Sequence, residues 1–141
     1  MEKRIMALDY GSKTIGVAIS DALNITAQGI ETLQVNEAIK DFKIKKLKEL
    51  VREYNVGMIV VGLPKNMDNS IGFRGEATIN FVDILKNKIK SVEIEFQDER
   101  LTTLAAERVL IDANVSRKKR KDVVDKMAAV LILQTFLDMK K

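Results

Sequence analysis

The side chains able to do chemistry in this 141-residue chain are mainly acids, because it contains neither histidine nor cysteine. That composition excludes Ser-His-Asp and Cys-His catalysis, imidazole and thiolate metal sites, and any disulfide framework. Acid–base or metal chemistry must then use Asp, Glu, Lys or Tyr, and oxygen-only donors suit hard cations such as Mg²⁺, Mn²⁺ or Ca²⁺. Three acidic positions stand out. Asp9 ends the apolar run Ile5-Met6-Ala7-Leu8, two residues before Gly11. A carboxylate there is costly to desolvate without a partner. Asp98 and Glu99 are adjacent, at the end of the alternating stretch Val92 to Gln97. Neighbouring side chains on a strand point to opposite faces, so one of the two is expected at a site and the other paired with Arg100 or a helix end. Asp125 follows 4-3-4 spacing with Ala129, Ile132 and Phe136, which puts it on the apolar face of a helix. Taken singly, each acid also fits a plainer role: a turn former, a surface acid, or a charge at a helix start. Gathered at one point, they would repel and raise one another's pKa values unless a cation intervened. One or two divalent ions would relieve the repulsion and suit hydrolysis of a phosphodiester, by clamping the attacking and leaving oxygens.

The elements expected to position these acids follow from periodicity. Strands are read at 3–9, 14–20 and 27–33, with a tight turn at Gly11 between the first two. A helix is read from Asn36, as N-cap, to Tyr54, on the spacing of Ile39, Phe42, Ile44, Leu47, Leu50 and Val51. Met58-Ile59-Val60-Val61 is a continuous apolar run, the pattern of a strand buried on both faces, and Gly62-Leu63-Pro64 is expected to break it. Further elements are a helix at 74–88, a strand at 92–97, a helix at 103–113 capped by Thr102 or Thr103, and a last helix at 121–139. This order predicts an α/β fold of the RNase H-like layout: three antiparallel strands, then two parallel ones reached by helical crossovers. The first strand is central, so Asp9 sits at its carboxyl end, where open α/β sheets keep their sites. Residues 1–141 are read as one domain, with a single core.

Charge points to the partner. The net charge is +4 and the pI about 9.3, yet Arg117, Lys118, Lys119, Arg120 and Lys121 carry much of the excess. With those five set aside, 19 basic residues face 20 acidic ones, for a remainder of −1. A local basic run just ahead of Asp125 is suited to a polyanion, although it also fits a solvated helix start. The segment from Gly62 to Gly75 carries Lys65, Asn66 and Arg74, with Asn69 and Ser70, and is read as a phosphate-holding loop. Lys13 and Arg100 flank Asp9 and Glu99 and complete the expected nucleic-acid contacts. With only two Tyr, five Phe and no Trp, stacking of bases on aromatic platforms is not expected to dominate recognition. No apolar run approaches the ~20 residues needed to span a bilayer, and no leader-like apolar segment follows Met1, so a cytoplasmic protein is expected. Nothing in the chain distinguishes a monomer from a homodimer.

Four segments in register resemble the YqgF family: Asp9 to Ala18, Val61 to Ser70, Asp98 to Thr103 and Asp125 to Ala129. Members are bacterial RNase H-like proteins, long labelled Holliday junction resolvases by analogy with RuvC and also implicated in maturing the 5′ end of 16S rRNA. The resemblance implies a nuclease using Mg²⁺ or Mn²⁺, with Asp9, Glu99 and Asp125 as the catalytic, metal-binding acids; it favours Glu99 over Asp98. It implies precursor rRNA as first substrate, branched DNA as second. Thr14 stands where the family commonly has Arg, and Asn69 where it often has Gly, a position at which Asn tolerates a left-handed turn. Two other classes start from the same residues. A DxG turn also contacts phosphate in actin-like ATPases and sugar kinases, which need two lobes. A non-catalytic RNA-binding assembly factor would keep the basic run without needing the acids.

Overall fold

A computed structural model of the chain describes residues 3–100, 108, 110–120 and 127–140. Its centre is a five-stranded sheet of β1 (Arg4–Tyr10), β2 (Thr14–Ser20), β3 (Ala27–Gln34), β4 (Val56–Leu63) and β5 (Glu93–Asp98), in the order β3-β2-β1-β4-β5. The first three strands pair antiparallel, and β4 and β5 run parallel to β1. That is the expected mixed sheet, with β1 in the middle. Helices α1 (Ile44–Glu53) and α2 (Phe73–Lys88) supply the crossovers, and α3 (Ala128–Met139) ends the described chain.

The pleat of β1 sorts the core into two layers. Met6, Leu8 and Tyr10 point toward α1 and α2, where they meet Leu47, Leu50, Phe81 and Leu85. Ala7 points the other way, to a layer formed with Ala18, Val60, Ala129, Ile132, Leu133 and Phe136. Ile59, Val60 and Val61 are all fully buried, so β4 is apolar on both faces, as its run of apolar residues requires. Tyr10 stacks on Phe81 with ring centroids 4.3 Å apart and lies edge-on to Phe42. Its hydroxyl donates to Glu37, whose carboxylate also accepts two hydrogen bonds from Arg74, at 3.0 and 3.2 Å. Burial and the Glu37 carboxylate push the Tyr10 hydroxyl well above the ordinary phenol pKa. Among the described residues no helix is long and apolar enough to cross a membrane.

Several boundaries differ from the expectation, each for a local reason. The helix expected from Asn36 begins only at Ile44. Asn36 does cap, but only a single 3-10 turn, Glu37–Ile39, which Lys40 ends in the left-handed region at φ 55°; Lys43 does the same at φ 54°. The strand expected to break at Gly62 runs on to Leu63. Helical backbone opens already at Glu99, with Asp98 as its cap: Asp98 Oδ1 accepts from the Arg100 amide at 3.0 Å. The expected caps Thr102 and Thr103, and the expected helix start at 103, lie outside the described residues. The last helix starts at Ala128 with Met127 in a non-helical turn; its expected beginning at 121–126, with Asp125, lies outside the described residues.

Candidate active site

Asp9 reaches its position by strand alternation. It shares a face with Ala7, on the α3 side of the sheet, at the carboxyl end of the central strand. Opposite it on β2 is Gly16. A Cβ built on Gly16 would lie 3.6 Å from the Cβ atoms of both Asp9 and Ala129, so α3 and the acid crowd the same spot. Gly11 makes the turn after β1 by close approach: its amide donates to the Thr14 carbonyl at 2.8 Å, and an added Cβ would stand 3.2 Å from that oxygen. Its φ is not positive, so space and not left-handed geometry explains this glycine.

Glu99 comes to Asp9 from the other side. Because the strand ends at Asp98 and the helix opens at once, the alternation that would have separated two adjacent acids no longer applies. Asp98 turns to Arg100 at 2.7 Å, while Glu99 swings over β4. The floor beneath it is Gly62, where an added Cβ would fall 2.6 Å from Glu99 Oε1 and 2.6 Å from Ile132 Cδ1. Glu99 and Asp9 share a side-chain hydrogen bond. Burial, then the Asp9 charge and that bond, with a smaller effect of Asp98, push the Glu99 carboxyl up to about 7. Asp98 is held below the usual carboxylate range, first by its hydrogen bond to Arg100. Two adjacent acids thus acquire opposite protonation habits from their surroundings.

Arg100 also clamps the loop beside the site. Its guanidinium donates to the Asn66 carbonyl at 3.0 Å, to Asn69 Oδ1 at 2.9 Å and to the Met67 carbonyl at 3.4 Å. Lys65 Nζ reaches the same Asn69 Oδ1 at 3.3 Å, and Asn66 Nδ2 donates to Ser70 Oγ at 2.9 Å. Asn69 takes the left-handed conformation, φ 73°, as its residue type allows. From Asp9 a groove of about 250 Å³ leads along Thr14 and Gly16 toward Gly29 and Thr32, under the start of α3.

The remaining expected contact residues are placed unevenly. Lys13 is exposed in the β1–β2 turn. Arg117, Lys118 and Lys119 are exposed on a helical turn whose Ser116 hydroxyl accepts from the Lys119 amide at 3.4 Å, while Arg120 is half-buried and donates to the Val115 carbonyl. Lys121 and Asp125 lie outside the described residues. Arg74 is on the opposite face of the sheet from Asp9, paired with Glu37 and 5.6 Å above the Tyr10 ring. Among the described residues no group of three potential metal ligands comes together; the pair Asp9–Glu99 does. Sequence reasoning missed Gly62 as the seat of Glu99. Its only signal was a glycine within an apolar strand run, which also marks a close approach.

A family described as RuvX, Holliday junction resolvase, matches residues 3–139. A Staphylococcus haemolyticus protein named "Putative pre-16S rRNA nuclease" is 57% identical over 135 residues, 96% of this chain and 95% of that one. A protein of the same name from Staphylococcus epidermidis is 54% identical over 138 residues, 98% of this chain and 97% of that one. Among solved structures, T. thermophilus RuvC in complex with a Holliday junction substrate superposes with a TM-score of 0.58 at 11% identity, covering 99% of this chain and 96% of the other. At that identity the likeness speaks for the fold alone, and it agrees with the RNase H-like arrangement of the sheet.

Proposed function

This chain belongs to the RuvX family, and we propose that it is a divalent-metal nuclease that matures the 5′ end of precursor 16S rRNA. Membership makes it a hydrolase of nucleic-acid ester bonds. The observation that carries the metal dependence is the buried contact between Asp9 and Glu99. Two carboxyls hydrogen-bonded over a glycine floor, one of them pushed up to about 7, form an oxygen-only donor pair whose mutual repulsion a hard cation would relieve. The fit is chemical: Asp9 and Glu99, with Asp125 from the resemblance, would hold Mg²⁺ or Mn²⁺. Such an ion would supply charge stabilisation at the scissile phosphate and a more acidic attacking water.

The chain's own residues do the rest. Asp98 and Arg100 fix the loop 64–71 against the site, Gly62 gives Glu99 room, and α3 closes the far side through Ala129. Lys13 and Lys65, with Asn66, stand where they would meet phosphates near the acids. The run from Arg117 to Lys121 would draw backbone from a distance. Arg74 is spent on Glu37, so its contribution is to hold the 3-10 turn in place. We place the whole chain, as one domain, in the cytoplasm.

The names of the close relatives favour rRNA; the family's description favours branched DNA, a substrate that resolvases cut as dimers on paired strands. Assaying the purified protein side by side on precursor 16S rRNA and a four-way DNA junction, in Mg²⁺ and in Mn²⁺, decides between them. Cleavage confined to the rRNA 5′ region supports the proposal. Paired cuts in the junction with the rRNA left intact would replace it by the resolvase reading.

A further inference from the structure

Lys3, Lys48, Arg52, Lys88 and Lys90 line a single groove of about 420 Å³, at the end of the sheet away from the carboxyls. They come from four places: the approach to β1, two turns of α1, the end of α2, and the link to β5. The floor is apolar, made by Val51, Val56 and Ile89, all buried. Among the described residues no carboxylate lines this groove, and none of the five cations forms an ion pair. The other end of the molecule differs: there Arg100 and Arg74 are paired with acids.

Charge of this kind needs a reason. Helix C-termini attract cations, and that accounts for Arg52 and Lys88, in the last turns of α1 and α2. It does not account for Lys48 within α1, for Lys90 beyond α2, or for Lys3, which is not on a helix. Lys3 is also built into its position. A Cβ on Gly57 would fall 2.7 Å from both Cβ and Cδ of Lys3, so the lysine stem lies flat against the start of the β4 backbone. Five like charges gathered around an apolar floor, with no carboxylate among the described residues to pair them, match a ligand that brings several negative charges of its own.

We propose that this groove is a second contact for nucleic-acid backbone. It rests on the nucleic-acid reading above and extends it to the size of the substrate. Lys3, just before β1, and Asp9, near its end, are six residues apart along extended chain, roughly 20 Å at ~3.3 Å per residue. A strand threading only the acidic site does not reach the groove; a folded nucleic acid lying around the domain reaches both. The groove therefore selects for a structured substrate over a short single strand, by phosphate position and not by base sequence.

The test neutralises Lys48, Arg52 and Lys88 together, each to Gln, in the full chain. A control variant neutralises the exposed Lys40, Lys45 and Lys86, outside the groove. Binding to a precursor-rRNA stem is measured across a salt series, with thermal melts to confirm both variants are folded. Loss of three phosphate contacts predicts roughly a hundredfold weaker binding at ~0.1 M salt, and a salt slope shallower by about 2–3, with the control close to wild type. Unchanged affinity and slope would overturn the proposal, as would equal losses in both variants, which would mean a diffuse field. Inorganic pyrophosphate serves as a small probe. If the groove variant loses pyrophosphate binding but keeps RNA binding, the site takes free phosphates and the backbone assignment falls. Failure of the nuclease reading shows separately, as cleavage that survives Asp9→Asn, while failure of the groove shows in binding alone.

Discussion

Replacing Glu99 by Gln should stabilise the metal-free protein, and only at neutral to alkaline pH. In the folded chain the Glu99 carboxyl holds its proton up to about 7; an ordinary glutamate loses it at 4.5. Between those values the native state binds a proton that the unfolded chain has released, so stability falls as pH rises through the window. Below it the group makes no difference; above it the loss is complete. The distance between 4.5 and about 7, at ~1.4 kcal/mol per pH unit, comes to about 3.5 kcal/mol. Gln keeps the shape and still donates to Asp9, without a charge to bury. Unfolding entropy of ~2.1 cal/mol/K per residue gives ~0.3 kcal/mol/K for 141 residues, so the variant should melt about 12 °C higher than wild type at pH 8.5. At pH 5 the gap should shrink to a small fraction of that. The assay is a set of melts in chelator across this range, repeated with Mg²⁺. The cation should stabilise the wild type and narrow the gap, because it takes over the partnering of both carboxylates. A gap equal at pH 5 and pH 8.5 would refute the claim that a buried, Asp9-facing carboxyl is the cause.

Gly62→Ala places a methyl 2.6 Å from Glu99 Oε1 and Ile132 Cδ1, so it should cost about 1–3 kcal/mol in a denaturant titration and reduce cleavage sharply while the fold persists. Arg100→Ala should loosen the loop 64–71, seen as faster hydrogen exchange at the Asn66, Asn69 and Ser70 amides and as lower cleavage; Arg100→Lys should fail to rescue, since one ammonium cannot replace the fork that meets Asp98, Asn66 and Asn69. Tyr10→Phe keeps the stack on Phe81 but loses the hydrogen bond to Glu37, and should cost about 1–3 kcal/mol by urea denaturation with little change in cleavage.

Much of this architecture can be read from local pattern. The double-faced apolar run of β4 and the alternation of β5 place those strands within two residues, and the acid at the end of β1 lands where strand order requires. The misreadings have particular causes. Lys40 and Lys43 turn the chain left-handed without a Gly, Pro or Asn to announce it, so the apolar spacing of Ile39 and Phe42 passes for helix. Asp98 acts as a cap for helical backbone that opens at Glu99, directly after the strand, and only the backbone shows it. That cap moves Glu99 from strand to helix and so decides which acid meets Asp9. Gly62 is the clearest case of long-range cause: its bareness is dictated by Glu99, 37 positions away, and by Ile132 on the last helix. The basic groove is assembled from residues between positions 3 and 90, and no window of sequence contains it. Chain-local basic runs are visible; surfaces made by folding are not.

The central claim is that Asp9 and Glu99 share one divalent cation and thereby cleave nucleic-acid backbone. Its most direct test measures Mn²⁺ affinity, RNA affinity and cleavage on the same preparations of wild type and Asp9→Asn. The account predicts that Mn²⁺ binding and cleavage fall together in the variant while RNA affinity stays within about threefold. Cleavage that continues in Asp9→Asn, or Mn²⁺ that binds it undiminished, would contradict the account.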